Sequence, residues 1–211
     1  VDVPYKGKNY IDDMLKKDPD HTFHFDELVG VLASTRLSYF APGSGYHYSN
    51  TGYSILGWII ERVSGMSYKE YLEENVLKPM GLYDSYMPVL GTDKVMKAPS
   101  VNSYFFINGE SHELTEDNMS ANVAEGNIVT TPNDLALFIK KLLTGKGVLN
   151  YYTVNSLMMN CLPNGVTTAG AYGCGLDYSN NLGYGHSGAH RAYLSYMIYD
   201  PLTDLTLVVY T

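Results

Sequence analysis

The sequence predicts an α+β fold, with helices leading and antiparallel strands closing the chain. Two observations predict it. Apolar residues recur at helical spacing through most of the first two thirds of the 211 residues. From Tyr172 onward the sequence turns Gly-rich and then alternates residue by residue, the period of a strand. Helices followed by strands that are joined by turns argue α+β.

The elements follow in order. Residues 9–17 read as a helix capped by Asn9, with Ile11, Met14 and Leu15 on one face. Residues 24–35 repeat Phe25, Leu28, Val29 and Leu32 at i, i+3, i+4 and i+7. The run Ala41-Pro42-Gly43-Ser44-Gly45 stops any helix. Gly52 to Val63 carries Ile55, Leu56, Trp58, Ile59 and Ile60, a composition that predicts a mostly buried helix ending at Gly65. Ser67 with Glu70 three residues on is a capping box. Tyr68, Tyr71, Leu72 and Val76 then form an inner face, and Pro79 and Gly81 close the helix.

Residues 82–129 are loop-rich. Within them, 104–107 and 110–114 flank Asn108-Gly109, the signature of a type I′ hairpin. Thr131, Pro132 and Asp134 mark the start of a helix whose stripe is Leu135, Phe138, Ile139, Leu142 and Leu143, ended by Gly145. Asn150 is expected to cap a further helix to about Met159. Ala192, Leu194, Tyr196 and Ile198 should share one strand face, and Tyr193, Ser195, Met197 and Tyr199 the other. Asp200-Pro201 turns the chain into a last strand, Leu205 to Tyr210. Residues 1–211 are thus read as one partial domain: about 1–160 mainly helical with loops, about 170–211 antiparallel strands.

Composition excludes several functions. Charged residues are 17% and hydrophobic ones 45%, a globular balance. Twenty tyrosines suit half-buried walls. A net charge of -8 with 14 thinly spread Lys and Arg argues against nucleic acid. No apolar run approaches the ~20 residues that span a bilayer. Cys161 and Cys174 lack any metal or redox spacing and read as two buried thiols, with a single bridge between them as the alternative. His21, His24 and Asp26 lie close together, but at a helix entry without a partner cluster, so no metal is expected.

Two segments carry candidate chemistry. Tyr48-Ser49-Asn50 places a phenol and an amide two apart, at the start of a helix that can hold them rigid. A phenol can pass a proton and an amide can hold a substrate carbonyl. The plainer reading is a helix cap beside a packed tyrosine. Gly185-His186-Ser187-Gly188-Ala189 opens a strand, where a small residue and a glycine let an extended substrate approach the edge. The plainer reading there is a Gly-rich strand entry with a surface histidine. That segment also nears the Gly-x-Ser-x-Gly elbow of α/β-hydrolases, but the elbow needs a following helix and strands follow instead.

Taken together, these segments resemble the serine β-lactamase and D-alanyl-D-alanine peptidase family, which includes class C β-lactamases, penicillin-binding proteins, D-amino-acid peptidases and some esterases. Tyr48-Ser49-Asn50 resembles its Tyr-x-Asn motif, within a block from Pro42 to Met80. His186-Ser187-Gly188 resembles its Lys/His-Thr/Ser-Gly motif. Ala124 to Leu135 is similar to the block between them, with Asn127 where a second glycine is common. The family's first motif, Ser-x-x-Lys, does not occur: no lysine has a serine three residues before it. That motif is expected upstream of Val1, and the chain is read as a portion incomplete at both ends.

The resemblance implies a role for each residue. Tyr48 would move a proton between the serine and the leaving group. Asn50 would bind the acyl side-chain amide and help place the motif lysine. His186 would supply a polar or positive group near Tyr48 and the substrate carboxylate, and Ser187 would bind that carboxylate. Gly188 would keep the strand edge open, and the Ala189 N–H would form half of the oxyanion hole. His186 in place of lysine leans toward the peptidase, esterase and D-aminopeptidase branches. The implied function is acyl-enzyme hydrolysis of a peptide, β-lactam or ester, inactive in these 211 residues alone; the alternative is a non-catalytic module binding peptide or cell-wall fragments. No cofactor or metal is implied, the partner is a small-molecule or peptide substrate, and the setting implied is extracytoplasmic or at the cell envelope. Open strand edges are expected to favour self-association.

Overall fold

A computed structural model describes residues 4–5, 8–36, 38–159, 166–167, 170–179 and 181–211. The chain forms two compact units. The first comprises Val1–Tyr39, Tyr48–Leu72 and Tyr86–Val129, and the second Phe40–His47, Glu73–Ser85 and Thr130–Thr211.

In the first unit, strands β1 (Pro4–Tyr5) and β2 (Lys8–Asn9) pair antiparallel ahead of helix α1 (Tyr10–Lys17). Asn9 caps α1 as its spacing predicts, accepting from the Asp12 N–H at 3.2 Å. Helix α2 (Phe25–Thr35) and helix α3 (Asn50–Ser64) pack together. Gly57 sets their approach: a Cβ there would lie 2.6 Å from the Phe25 ring and 2.8 Å from the Ala124 Cβ. Ile11, Phe23, Leu28 and Ala121 form a core with Tyr10, Met14 and Leu15 against it. Asn118 and Ser120 tie that core to residues 19–23. The Asn118 amide donates to the carbonyls of Pro19 (3.1 Å) and His21 (2.8 Å), and the Ser120 hydroxyl accepts from the Phe23 N–H at 3.1 Å.

His21 is no solvated helix-entry residue. Its Nε2 lies 3.0 Å from both Glu27 carboxylate oxygens, and its ring meets Phe23 edge-on at 4.6 Å. Tyr10 also donates to Glu27, at 2.7 Å. Burial, together with that carboxylate, pushes the Tyr10 phenol up to about 12. Among the described residues no group of three or more His, Cys, Asp or Glu could hold a metal ion, and no helix is long and apolar enough to cross a membrane.

Helix α3 corrects one expectation. It is not mostly buried: Ile55, Leu56, Ile59 and Val63 are 37%, 53%, 50% and 83% exposed, while its buried positions are Thr51, Ser54 and Gly57. The sequence shows that the helix is apolar on several sides, but not which of them α2 and the helix that follows cover. Helix α4 (Tyr68–Leu72) follows with the capping box intact: the Ser67 N–H donates to Glu70 at 3.0 Å and the Glu70 N–H to Ser67 Oγ at 3.3 Å. The hairpin of β3 (Tyr104–Ile107) and β4 (Glu110–Glu113) turns at Asn108 and Gly109, both at positive φ. Leu114 continues the pairing through its N–H to the Ser103 carbonyl at 2.9 Å.

In the second unit, Glu73–Leu77 is a widened π-helical turn leading into helix α5 (Lys78–Met80), with Pro79 inside the last turn and Gly81 after it. Helix α6 (Pro132–Leu143) starts as its sequence predicts, with Thr131 Oγ1 accepting from the Asp134 N–H at 3.2 Å. Asp134 is buried and its carboxylate accepts from the Asp84 N–H (2.9 Å) and the Ser85 hydroxyl (2.8 Å). Helix α7 (Tyr151–Thr153) is capped by Asn150 and runs into a second π-helical stretch, Val154–Met159.

The strands β5 (Val166–Thr167), β6 (Gly170–Gly173), β7 (Leu176–Ser179), β8 (Gly183–His190), β9 (Tyr193–Asp200) and β10 (Leu205–Tyr210) form one antiparallel sheet in sequence order. Helix α6 packs on β9 and β10, burying Ile139, Leu142 and Leu143. This is the α+β arrangement the sequence predicts. Ala192 is not in a strand: it shares a turn with Arg191, whose φ is 51°. Cys174 is exposed in the β6–β7 turn, so it is not the buried thiol expected of it; Cys161 lies outside the described residues.

Candidate active site

Tyr48 and Asn50 belong to the first unit, at the start of α3. Ser49 is the N-cap, its hydroxyl accepting from the Gly52 N–H at 3.1 Å. The residue between the two candidates therefore does the capping, and the Asn50 amide is not the capping group. Tyr48 is 47% exposed. The cap of the plainer reading is present, at Ser49, and the tyrosine beside it is exposed rather than buried.

His186, Ser187, Gly188 and Ala189 are consecutive on β8 in the second unit. Along one side β8 pairs with β9, out to His190 opposite Tyr193. Along the other, β7 pairs with it only as far as Gly185. The four candidates therefore lie on a stretch that outruns its β7 neighbour. Gly188 stands opposite Ser195, and a Cβ there would fall 2.4 Å from the Ser195 hydroxyl. The missing side chain makes room within the sheet, not only at its edge.

Residues that sequence reasoning passed over surround these candidates. The Tyr172 hydroxyl lies 3.0 Å from His186 Nε2, and His186 Nδ1 is within hydrogen-bond distance of the Ser187 carbonyl. Tyr172 meets the imidazole edge-on at 5.5 Å, and Tyr46 lies 6.0 Å from the Tyr172 ring. Asp177 has a buried carboxylate oxygen without a hydrogen-bond partner among the described residues. Burial raises its carboxyl, and the charge of His186 opposes that rise. Only the Gly-rich run around Tyr172 signalled a turn here; nothing in it signalled a partner 14 residues on.

The block between the two segments is cross-linked to distant chain. Asn127, where the family often has glycine, is buried and its amide donates to the Pro88 carbonyl at 2.6 Å. Glu125 accepts from the Ser54 hydroxyl of α3 at 2.5 Å, and its other oxygen is buried without a hydrogen-bond partner among the described residues. Burial raises the Glu125 carboxyl above its ordinary value of 4.5, and the Ser54 bond only partly opposes this. A carboxyl raised in the native state favours folding while it stays protonated, and that contribution fades as pH rises through the native value. Glu125→Gln should therefore be more stable than wild type at pH 7, with the gain shrinking to nothing as pH falls below about 4.5. Urea denaturation at several pH values checks this; an equal effect at all of them would contradict it.

A sheet of this topology with a capped helix packed on it, and the two motifs at a helix start and on an inner strand, define a β-lactamase/transpeptidase-like protein. The profile of the Beta-lactamase family matches residues 4–211, and the chain belongs to that family of β-lactamase-fold serine hydrolases. Penicillin-binding protein 4* of Bacillus subtilis is 26% identical over 82% of this chain and 41% of its own length. A putative D-alanyl-D-alanine carboxypeptidase of Escherichia coli is 21% identical over 99% of the chain and 53% of its length. The chain thus spans about half the length of these relatives. Among solved structures, a D-stereospecific amidohydrolase from Streptomyces sp. superposes with a TM-score of 0.80 at 26% identity, covering 92% of this chain and 58% of that one.

Proposed function

We propose that this chain supplies the proton-transfer and substrate-holding residues of a serine acyl-transfer hydrolase. The observation that carries the reading is the pair of motifs, Tyr48-Ser49-Asn50 at a helix start and His186-Ser187-Gly188 on a stretch of β8 that runs past its pairing with β7, in a member of this family. Tyr48 passes the proton from an attacking serine to the leaving nitrogen or oxygen. Asn50 holds the acyl side-chain amide. His186 and Ser187 meet the substrate carboxylate, and the Ala189 N–H donates to the developing oxyanion. No metal or cofactor is needed for these steps. Relatives named for D-alanyl-D-alanine and for D-stereospecific amide hydrolysis support a substrate with a D-configured residue beside the scissile bond.

The nucleophile is not among these residues, since no Ser-x-x-Lys occurs in them. Incubation of the chain with a labelled penicillin should leave it unmodified by mass spectrometry. Joined to a segment that bears Ser-x-x-Lys, it should acquire one penicilloyl adduct on that serine. An adduct on any serine of this chain contradicts the reading. Failure of the joined form to acylate, with retained binding of the ligand, favours the binding-module alternative. The exposed apolar side chains of α3 and of the β3–β4 hairpin support the self-association expected from the sequence.

A further inference from the structure

We propose that Tyr172 is a positioning residue that sets the ring orientation and tautomer of His186. The inference rests on the role given to His186 above, but its geometry does not.

A neutral imidazole has one N–H and one lone pair. The Ser187 carbonyl can only accept, so the Nδ1 facing it carries the hydrogen. Nε2 is then an acceptor, and the Tyr172 hydroxyl, 3.0 Å away, donates to it. Both ring nitrogens are engaged, which fixes the tautomer and the rotation of the ring. Protonation adds a hydrogen at Nε2, and the same two atoms stay bonded with the direction reversed: Nε2–H donates and the Tyr172 oxygen accepts. Tyr172 thus holds the ring in one place in either charge state.

From the neighbouring strands the ring meets Tyr172 of β6, and it stands opposite Met197, uncharged, on β9. Tyr46 reaches the assembly through the Tyr172 ring. An imidazole, unlike a lysine ammonium, offers a lone pair as well as a donor, so a partner that fixes which nitrogen carries the hydrogen matters more here.

Long-range ¹⁵N–¹H correlation spectra of the labelled chain across pH test this without any turnover. Wild type should show a protonated Nδ1 and an unprotonated Nε2 at high pH. Tyr172→Phe, which keeps the ring, should move the Nε2 resonance and admit the second tautomer. Ser187→Ala, which keeps both the backbone carbonyl at Nδ1 and the phenol at Nε2, should keep the wild-type tautomer. An Nε2–H tautomer in wild type, or His186 signals that superimpose in wild type and Tyr172→Phe, overturns the proposal. Should His186→Gln leave acylation of the nucleophile-bearing form unchanged while these spectra come out as stated, the catalytic role of His186 fails and the positioning stands.

Discussion

Tyr48→Phe is expected to slow acylation by about 10²–10⁴-fold in a form of the protein that bears the Ser-x-x-Lys segment, the range for loss of a proton-transfer group. The substitution removes one oxygen from a side chain that is nearly half exposed. The cap at Ser49 is untouched, so α3 should start where it does now. Stability should change by no more than about 0.5 kcal/mol. The loss should fall on kcat, with KM little altered, because the phenol acts on a proton in flight and not on bound substrate. Single-turnover kinetics with a chromogenic ester or lactam, beside a urea melt, separate the two effects. An unchanged acylation rate would remove Tyr48 from the chemistry.

Gly185→Ala should damage the sheet severely. A Cβ at that position would sit 2.0 Å from the Met197 carbonyl oxygen and 2.9 Å from the Ile198 Cα. Both atoms are backbone of β9, so no side-chain rotation relieves the clash. The strands must separate where Gly185 stands opposite Ile198, and a cost of about 3 kcal/mol or more follows. His186, the next residue, would move with its strand. Gly188→Ala is the internal control. Its Cβ would meet only the Ser195 hydroxyl, which can turn away, so the cost should stay below about 1.5 kcal/mol. Equal denaturation midpoints for the two variants would show that the β8–β9 approach is not what Gly185 serves.

Local chemistry made much of this fold legible in the sequence. Asn9, the Ser67–Glu70 box, Asn108-Gly109 and the Thr131-Pro132-Asp134 start each act within four residues, and each forms as its spacing predicts. Long-range pairings were not legible. Ser54 meets Glu125 across 71 positions, Asp134 meets Asp84 across 50, and no periodicity encodes either. The exposure of α3 failed for the same reason: Ile55, Leu56 and Ile59 show a preference for burial but not which neighbours cover them. Of the candidate site, the residue types were readable from two short motifs. The partners of His186 were not, because Tyr172 reaches it across β7 from β6, and strand order is a property of the sheet.

The proposal that the two motifs serve one reaction is best tested by the kinetics of penicillin acylation in the nucleophile-bearing form, measured for Tyr48→Phe, Ser187→Ala and the double variant. Groups that serve one transition state should be strongly non-additive, the double variant losing much less than the product of the single losses. Losses that simply multiply, or a Ser187→Ala rate equal to wild type, would mean that the helix-start tyrosine and the strand serine do not act on the same substrate.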